Sequence, residues 1–69
     1  MNIEERYNGV LEDYGLNYPI SEYDALDAVE LLLALEHEFK IRLDDDRVCN
    51  FKTHDNFIEY IKILTNGKS

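Results

Sequence analysis

Residues 24–39 carry more apolar side chains than one buried helix face can hold, and that surplus limits what the chain can become. Leu31, Leu32, Leu35 and Phe39 recur at helical spacing and predict an inward face. Leu26, Val29 and Leu33 fall at i, i+3 and i+7 and form a second row on the same helix. An ordinary surface helix has one apolar stripe. The second row is flanked by Asp27, Glu30 and the Glu36-His37-Glu38 cluster. A small bundle could bury both rows. The interleaved acids are equally compatible with an outward surface, on which carboxylates would steer a basic partner and apolar groups would supply contact energy. Asp24 is placed to cap the helix, Asp27 sits at its third position, and Lys40 suits its C-terminal end.

The remaining apolar spacing is also helical. Ile3, Tyr7, Val10, Leu11 and Tyr14 share one face of a first helix, with Asn2 as cap, Glu5 as reciprocal partner and Gly15 as its end. Pro19 blocks helix continuation, so residues 16–23 read as a loop, with Ser21 a loop residue. Ile41 and Leu43 read as buried anchors in an extended segment, and Asp44-Asp45-Asp46 as the start of a short helix reaching about Phe51. Thr53 caps a last helix whose apolar face is Phe57, Ile58, Tyr60, Ile61 and Leu64, with Gly67 just past its end. The expected fold is all-α: a small four-helix bundle of three main helices plus one short helix, with residues 1–69 as one domain.

Composition excludes several functions. The 69-residue chain has fifteen acids against seven bases and a formal net charge of −8. Such a charge repels nucleic acid and anionic membranes. An acidic mimic of nucleic acid ranks low, because the acids gather on one helix rather than along a duplex-like track. One cysteine, Cys49, allows no internal disulfide. It reads as a partly buried apolar residue, since no His/Asn constellation accompanies it. Cys49, His37 and His54 lack zinc-type spacing, and the aspartate run lacks the glycine and terminal glutamate of a calcium loop. No metal site is expected. His54 reads as a first-turn surface residue. No catalytic residues are assigned, and no enzyme activity is expected. With no membrane-length segment and no signal peptide at Met1-Asn2-Ile3-Glu4-Glu5, a cytoplasmic monomer is the default.

The run Tyr23-Asp24-Ala25-Leu26-Asp27-Ala28-Val29-Glu30-Leu31-Leu32-Leu33-Ala34-Leu35-Glu36-His37-Glu38-Phe39 resembles the prosthetic-group helix of acyl carrier proteins. The likeness continues through Ile41-Arg42-Leu43-Asp44-Asp45-Asp46, and more weakly through Thr53 to Leu64 and the Ile3-Glu4-Glu5-Arg6 start. The connection from Gly15 to Tyr23 is shorter than in the family, which bears on how a cleft for an acyl chain would be covered. The resemblance implies a domain that carries acyl thioester intermediates, of fatty acid or polyketide biosynthesis, on a 4′-phosphopantetheine arm. It implies partner contacts through Asp24, Leu26, Asp27, Val29, Glu30, Leu33 and Glu36. His37 stands on the same surface where the family usually has an acid. The implied partners are basic patches of acyl-transfer, synthase, ligase and phosphopantetheinyl transferase enzymes.

The family has Asp-Ser-Leu where this chain has Asp24-Ala25-Leu26. A serine in a helix's first turn presents its hydroxyl near free backbone N–H groups, where a phosphodiester is favoured. Ala25 keeps the helix but has no oxygen to esterify. The chain as written is therefore not loadable. Because the neighbours of Ala25 still match the family, the alanine reads as an introduced Ser→Ala replacement. The alternative is a natural non-carrier docking or decoy module that binds enzymes of acyl metabolism.

Overall fold

A computed structural model describes residues 2–66. Four α-helices follow in order: α1 (Ile3–Tyr14), α2 (Ala25–Phe39), α3 (Asp45–Val48) and α4 (His54–Asn66). No strand occurs among the described residues. The architecture is the small all-α bundle expected from the spacing, and Gly67 lies outside the described residues.

Each helix starts where its sequence supplies a cap. Asn2 Oδ1 accepts from the Glu5 amide at 2.8 Å, and Thr53 Oγ1 accepts from the Asn56 amide at 3.3 Å. Asp24 and Asp27 form a reciprocal capping box at α2, the arrangement that satisfies two otherwise orphaned donors. Gly15 ends α1 with φ 68°, a left-handed conformation in which a side chain would be strained. Helix α2 ends one residue before Lys40, which itself adopts φ 55°. The segment 41–44 is neither helix nor strand, with Asp44 extended at φ −82° and ψ 114°, and α3 covers only four residues rather than reaching Phe51. Turns close residues 49–51, where the Phe51 amide donates to the Val48 carbonyl at 3.0 Å. Within the 16–23 connection, residues Ile20–Glu22 make one 3₁₀ turn.

Helix α1 packs on both α2 and α4. The core joins Tyr7, Val10 and Leu11 of α1 to Leu31, Ala34, Leu35 and Phe39 of α2 and Phe57, Tyr60 and Ile61 of α4. Leu16, Ile41, Leu43 and Val48 close it from the connections and α3. Full burial of each large side chain stabilises the fold by roughly 1.5–3 kcal/mol. Leu32 is only half-buried. The second apolar row takes no part: Leu26 is 75 % exposed, Val29 52 % and Leu33 62 %. The core is already filled without them.

Other positions also differ from expectation, among them Tyr14, which is 47 % exposed rather than on the buried face of α1. His54 is half-buried rather than on the surface, and Cys49 is exposed rather than partly buried. His54 begins α4 on the same stripe as Phe57, Ile58 and Ile61, so its ring turns inward with them. Cys49 follows the last residue of α3, and its thiol donates to the Asp46 carbonyl at 3.2 Å at the surface.

Candidate functional site

The candidate site is the exposed face of α2 together with its first turn. Ala25 is the first residue of α2 and is exposed directly after the Asp24 cap. Its methyl offers no atom for a phosphodiester, so the residues present do not fit covalent attachment of a phosphopantetheine group. Ser21, on the 3₁₀ turn, is exposed but lies outside the helix.

Beside Ala25 opens a groove of about 330 Å³, walled by Ile20, Tyr23, Ala28, Leu31, Val48 and Phe57. It shares Ala28, Val48, Cys49 and Phe57 with a neighbouring hollow of about 350 Å³ that reaches Val29 and Leu32. The two form one largely apolar trough between α2 and α3, starting at residue 25. A roomier groove of about 420 Å³ lies against Leu11, Pro19 and Lys52. Ala25 does not line it, so adjacency rather than size marks the trough.

The acids of α2 and its cap divide into two groups. Most are held within the protein. The Asp24 carboxylate accepts from the Asp27 amide at 2.8 Å. Asp27 is half-buried and accepts from the Tyr18 hydroxyl at 2.6 Å. Glu36 is half-buried, and its carboxylate accepts from the Leu43 amide at 2.8 Å, tying the end of α2 to the extended segment. Glu38 pairs with Arg6 at 3.1 Å. Glu30 is exposed and makes no side-chain hydrogen bond or ion pair among the described residues. His37 is exposed on the same helix. Of the sequence-assigned surface residues, Asp24, Ala25, Leu26, Val29, Glu30, Leu33 and His37 are thus exposed, while Asp27 and Glu36 face internal donors.

Behind the first turn lies a tyrosine–histidine cluster that the sequence pattern did not reveal. Because a carbonyl only accepts, His54 Nε2–H donates to the Tyr18 carbonyl at 2.8 Å. In the neutral ring Nδ1 then accepts from the buried Tyr7 hydroxyl at 2.7 Å. The Tyr23 hydroxyl donates to the Leu16 carbonyl at 2.7 Å, and the Tyr18 and Tyr23 rings meet edge to face at 5.1 Å. The spacing of His54 with Phe57, Ile58 and Ile61 was the available signal for the histidine. Tyr18 and Tyr23 lie in a non-periodic connection and gave none.

Three of these phenols resist ionisation. The Asp27 hydrogen bond, chiefly, pushes Tyr18 up to about 12, and burial chiefly pushes Tyr23 up to about 12. Burial holds Tyr7 higher still. The folded state keeps protons that the unfolded chain releases near the ordinary phenol value of 10.0. Stability from Tyr18 and Tyr23 is therefore complete below pH 10 and is lost as pH rises from about 10 to 12, while the loss from Tyr7 continues above that window. Urea midpoints should hold steady below that window and fall inside it, together with the rise in tyrosinate absorbance. A midpoint unchanged to pH 12 would contradict this.

The geometry defines a class: a small acidic helical bundle whose second helix displays an outward apolar row above an apolar trough. Comparison with known proteins shows what this chain is similar to. The chain is 46 % identical over 39 residues to acyl carrier proteins of Trieres chinensis, Rickettsia canadensis (strain McKiel) and Rickettsia rickettsii (strain Iowa). The aligned stretch is 56 % of this chain, 49 % of the Trieres protein and 45 % of each Rickettsia protein. The chain spans about half the length of the curated relatives it matches. No family model and no solved structure matches it. The matches support the acyl carrier protein family, in agreement with the all-α bundle.

Proposed function

We propose that this chain is a carrier-type docking domain whose α2 face engages enzymes of acyl transfer. In a serine-bearing form it would carry acyl thioesters on a 4′-phosphopantetheine arm, with no chemistry of its own. The observation that carries the reading is the exposure of Leu26, Val29 and Leu33 next to residue 25. Isolated exposed leucines need no explanation, but three in one row are rare on a surface without a partner. The trough beside Ala25 supports a place for an apolar cargo despite the short connection. The family similarity supports phosphopantetheinyl transferases, synthases and ligases as the kind of partner, with basic groups opposite Glu30 and Asp24.

Ala25 itself favours a second reading, a docking module that binds the same enzymes without being loaded. Both readings need the same face, and both are consistent with a cytoplasmic monomer acting as one domain. No described helix is long and apolar enough to cross a membrane.

The test is a titration of the isotopically labelled chain with a phosphopantetheinyl transferase, followed by amide resonances. Shifts and broadening should centre on Leu26, Val29, Glu30 and Leu33, while Val10 and Ile61 stay fixed. Changes centred on α1 or α4, or none with several transferases, would remove the docking reading.

A further inference from the structure

We propose that Tyr18 is a positioning residue that clamps the short connection onto the first turn of α2 and so fixes the docking end of that helix. The inference rests on the docking reading of α2 above, and its test separates the two.

The clamp is a continuous run of hydrogen bonds. From the buried Tyr7 hydroxyl it passes to His54 Nδ1, and from His54 Nε2–H to the Tyr18 carbonyl, at 2.7 and 2.8 Å. From the Tyr18 hydroxyl it passes to Asp27 Oδ2 at 2.6 Å, the shortest of the three. Asp27 also accepts from the Asp24 amide at 3.4 Å, while the Asp24 carboxylate holds the Asp27 amide at 2.8 Å. Tyr18 thus takes its backbone position from α4 and passes it, through its hydroxyl, to the cap that precedes Ala25 and Leu26. A phenol donating to a carboxylate is a charge-assisted bond, about twice as strong as a neutral one.

The location gives the bond its function. Helix starts fray, and a first turn held only by its own cap opens readily. The connection supplies Ile20 and Tyr23 to the trough at residue 25, so the residue that pins the connection also sets the mouth of the trough.

Tyr18→Phe removes the donor and keeps the ring against Tyr23, so the fold should survive. Amide exchange at Asp27 and Ala28 should speed up about tenfold or more, with α4 amides unchanged. Affinity for the transferase should fall several-fold. Tyr14→Phe, at an exposed ring outside the clamp and the docking face, should stay near the parent in both measurements. Unchanged exchange in Tyr18→Phe, or acceleration spread evenly over all helices, would overturn the clamp. Faster local exchange with unaltered affinity would overturn its role in docking. If neither parent nor variant binds the transferase, the docking reading fails, and exchange alone decides whether the clamp exists.

Discussion

Replacing Leu26 and Leu33 together by alanine is expected to weaken transferase binding about a hundredfold, because two central apolar contacts are each worth about 1–2 kcal/mol at an interface. The same double variant should keep its thermal midpoint within a few degrees. Leu26 is 75 % exposed and Leu33 62 %, so the fold loses almost no packing when they are shortened. Alanine is a strong helix former, so α2 itself does not suffer. Calorimetric titration and a melting curve on the same sample give both numbers. On the proposed docking reading, charge is the smaller part of this contact. Four of the five acids in the Asp24–Glu38 stretch already hold internal donors, leaving Glu30 as the one without a hydrogen bond or ion pair among the described residues. On the proposed docking reading, the net charge of −8 would still speed encounter with a basic enzyme, an effect that salt screens.

Leu35→Ala is expected to do the reverse. Leu35 lies two residues from Leu33 on the same helix, yet it is fully buried at the centre of the core. Removing it should cost about 3 kcal/mol, the usual range being roughly 2–5. A chain of this size is stabilised by roughly 3–10 kcal/mol in total. Much of the reserve would be gone, and urea unfolding should shift strongly or lose its folded baseline. The contrast between Leu33 and Leu35 is the energetic form of the two-row pattern. If shortening Leu33 were as costly to the fold as shortening Leu35, the outer row would be core.

The helices were legible because periodicity and caps are local. Asn2, Asp24 and Thr53 mark starts that the structure reproduces, and Gly15 and Lys40 mark ends. The spacing of Leu26, Val29 and Leu33 left burial and exposure open, and the resemblance to acyl carrier proteins favoured the outward placement that the structure has. What stayed hidden depends on partners distant in sequence. Asp27 and Glu36 look like surface acids until Tyr18 and the Leu43 amide are folded against them. His54 looks like a polar first-turn residue until Tyr7, 47 positions earlier, meets it. Cys49 departs from expectation because α3 ends sooner than its apolar neighbours suggest, leaving the thiol at the surface.

The most direct measurement is the mass of the Ala25→Ser variant after incubation with coenzyme A and a panel of phosphopantetheinyl transferases. A carrier-type domain that still presents its α2 face and first turn should gain the mass of one phosphopantetheine group, on the hydroxyl introduced at position 25, while the parent chain gains none. No mass gain with any transferase, from a variant that remains folded, would contradict the account.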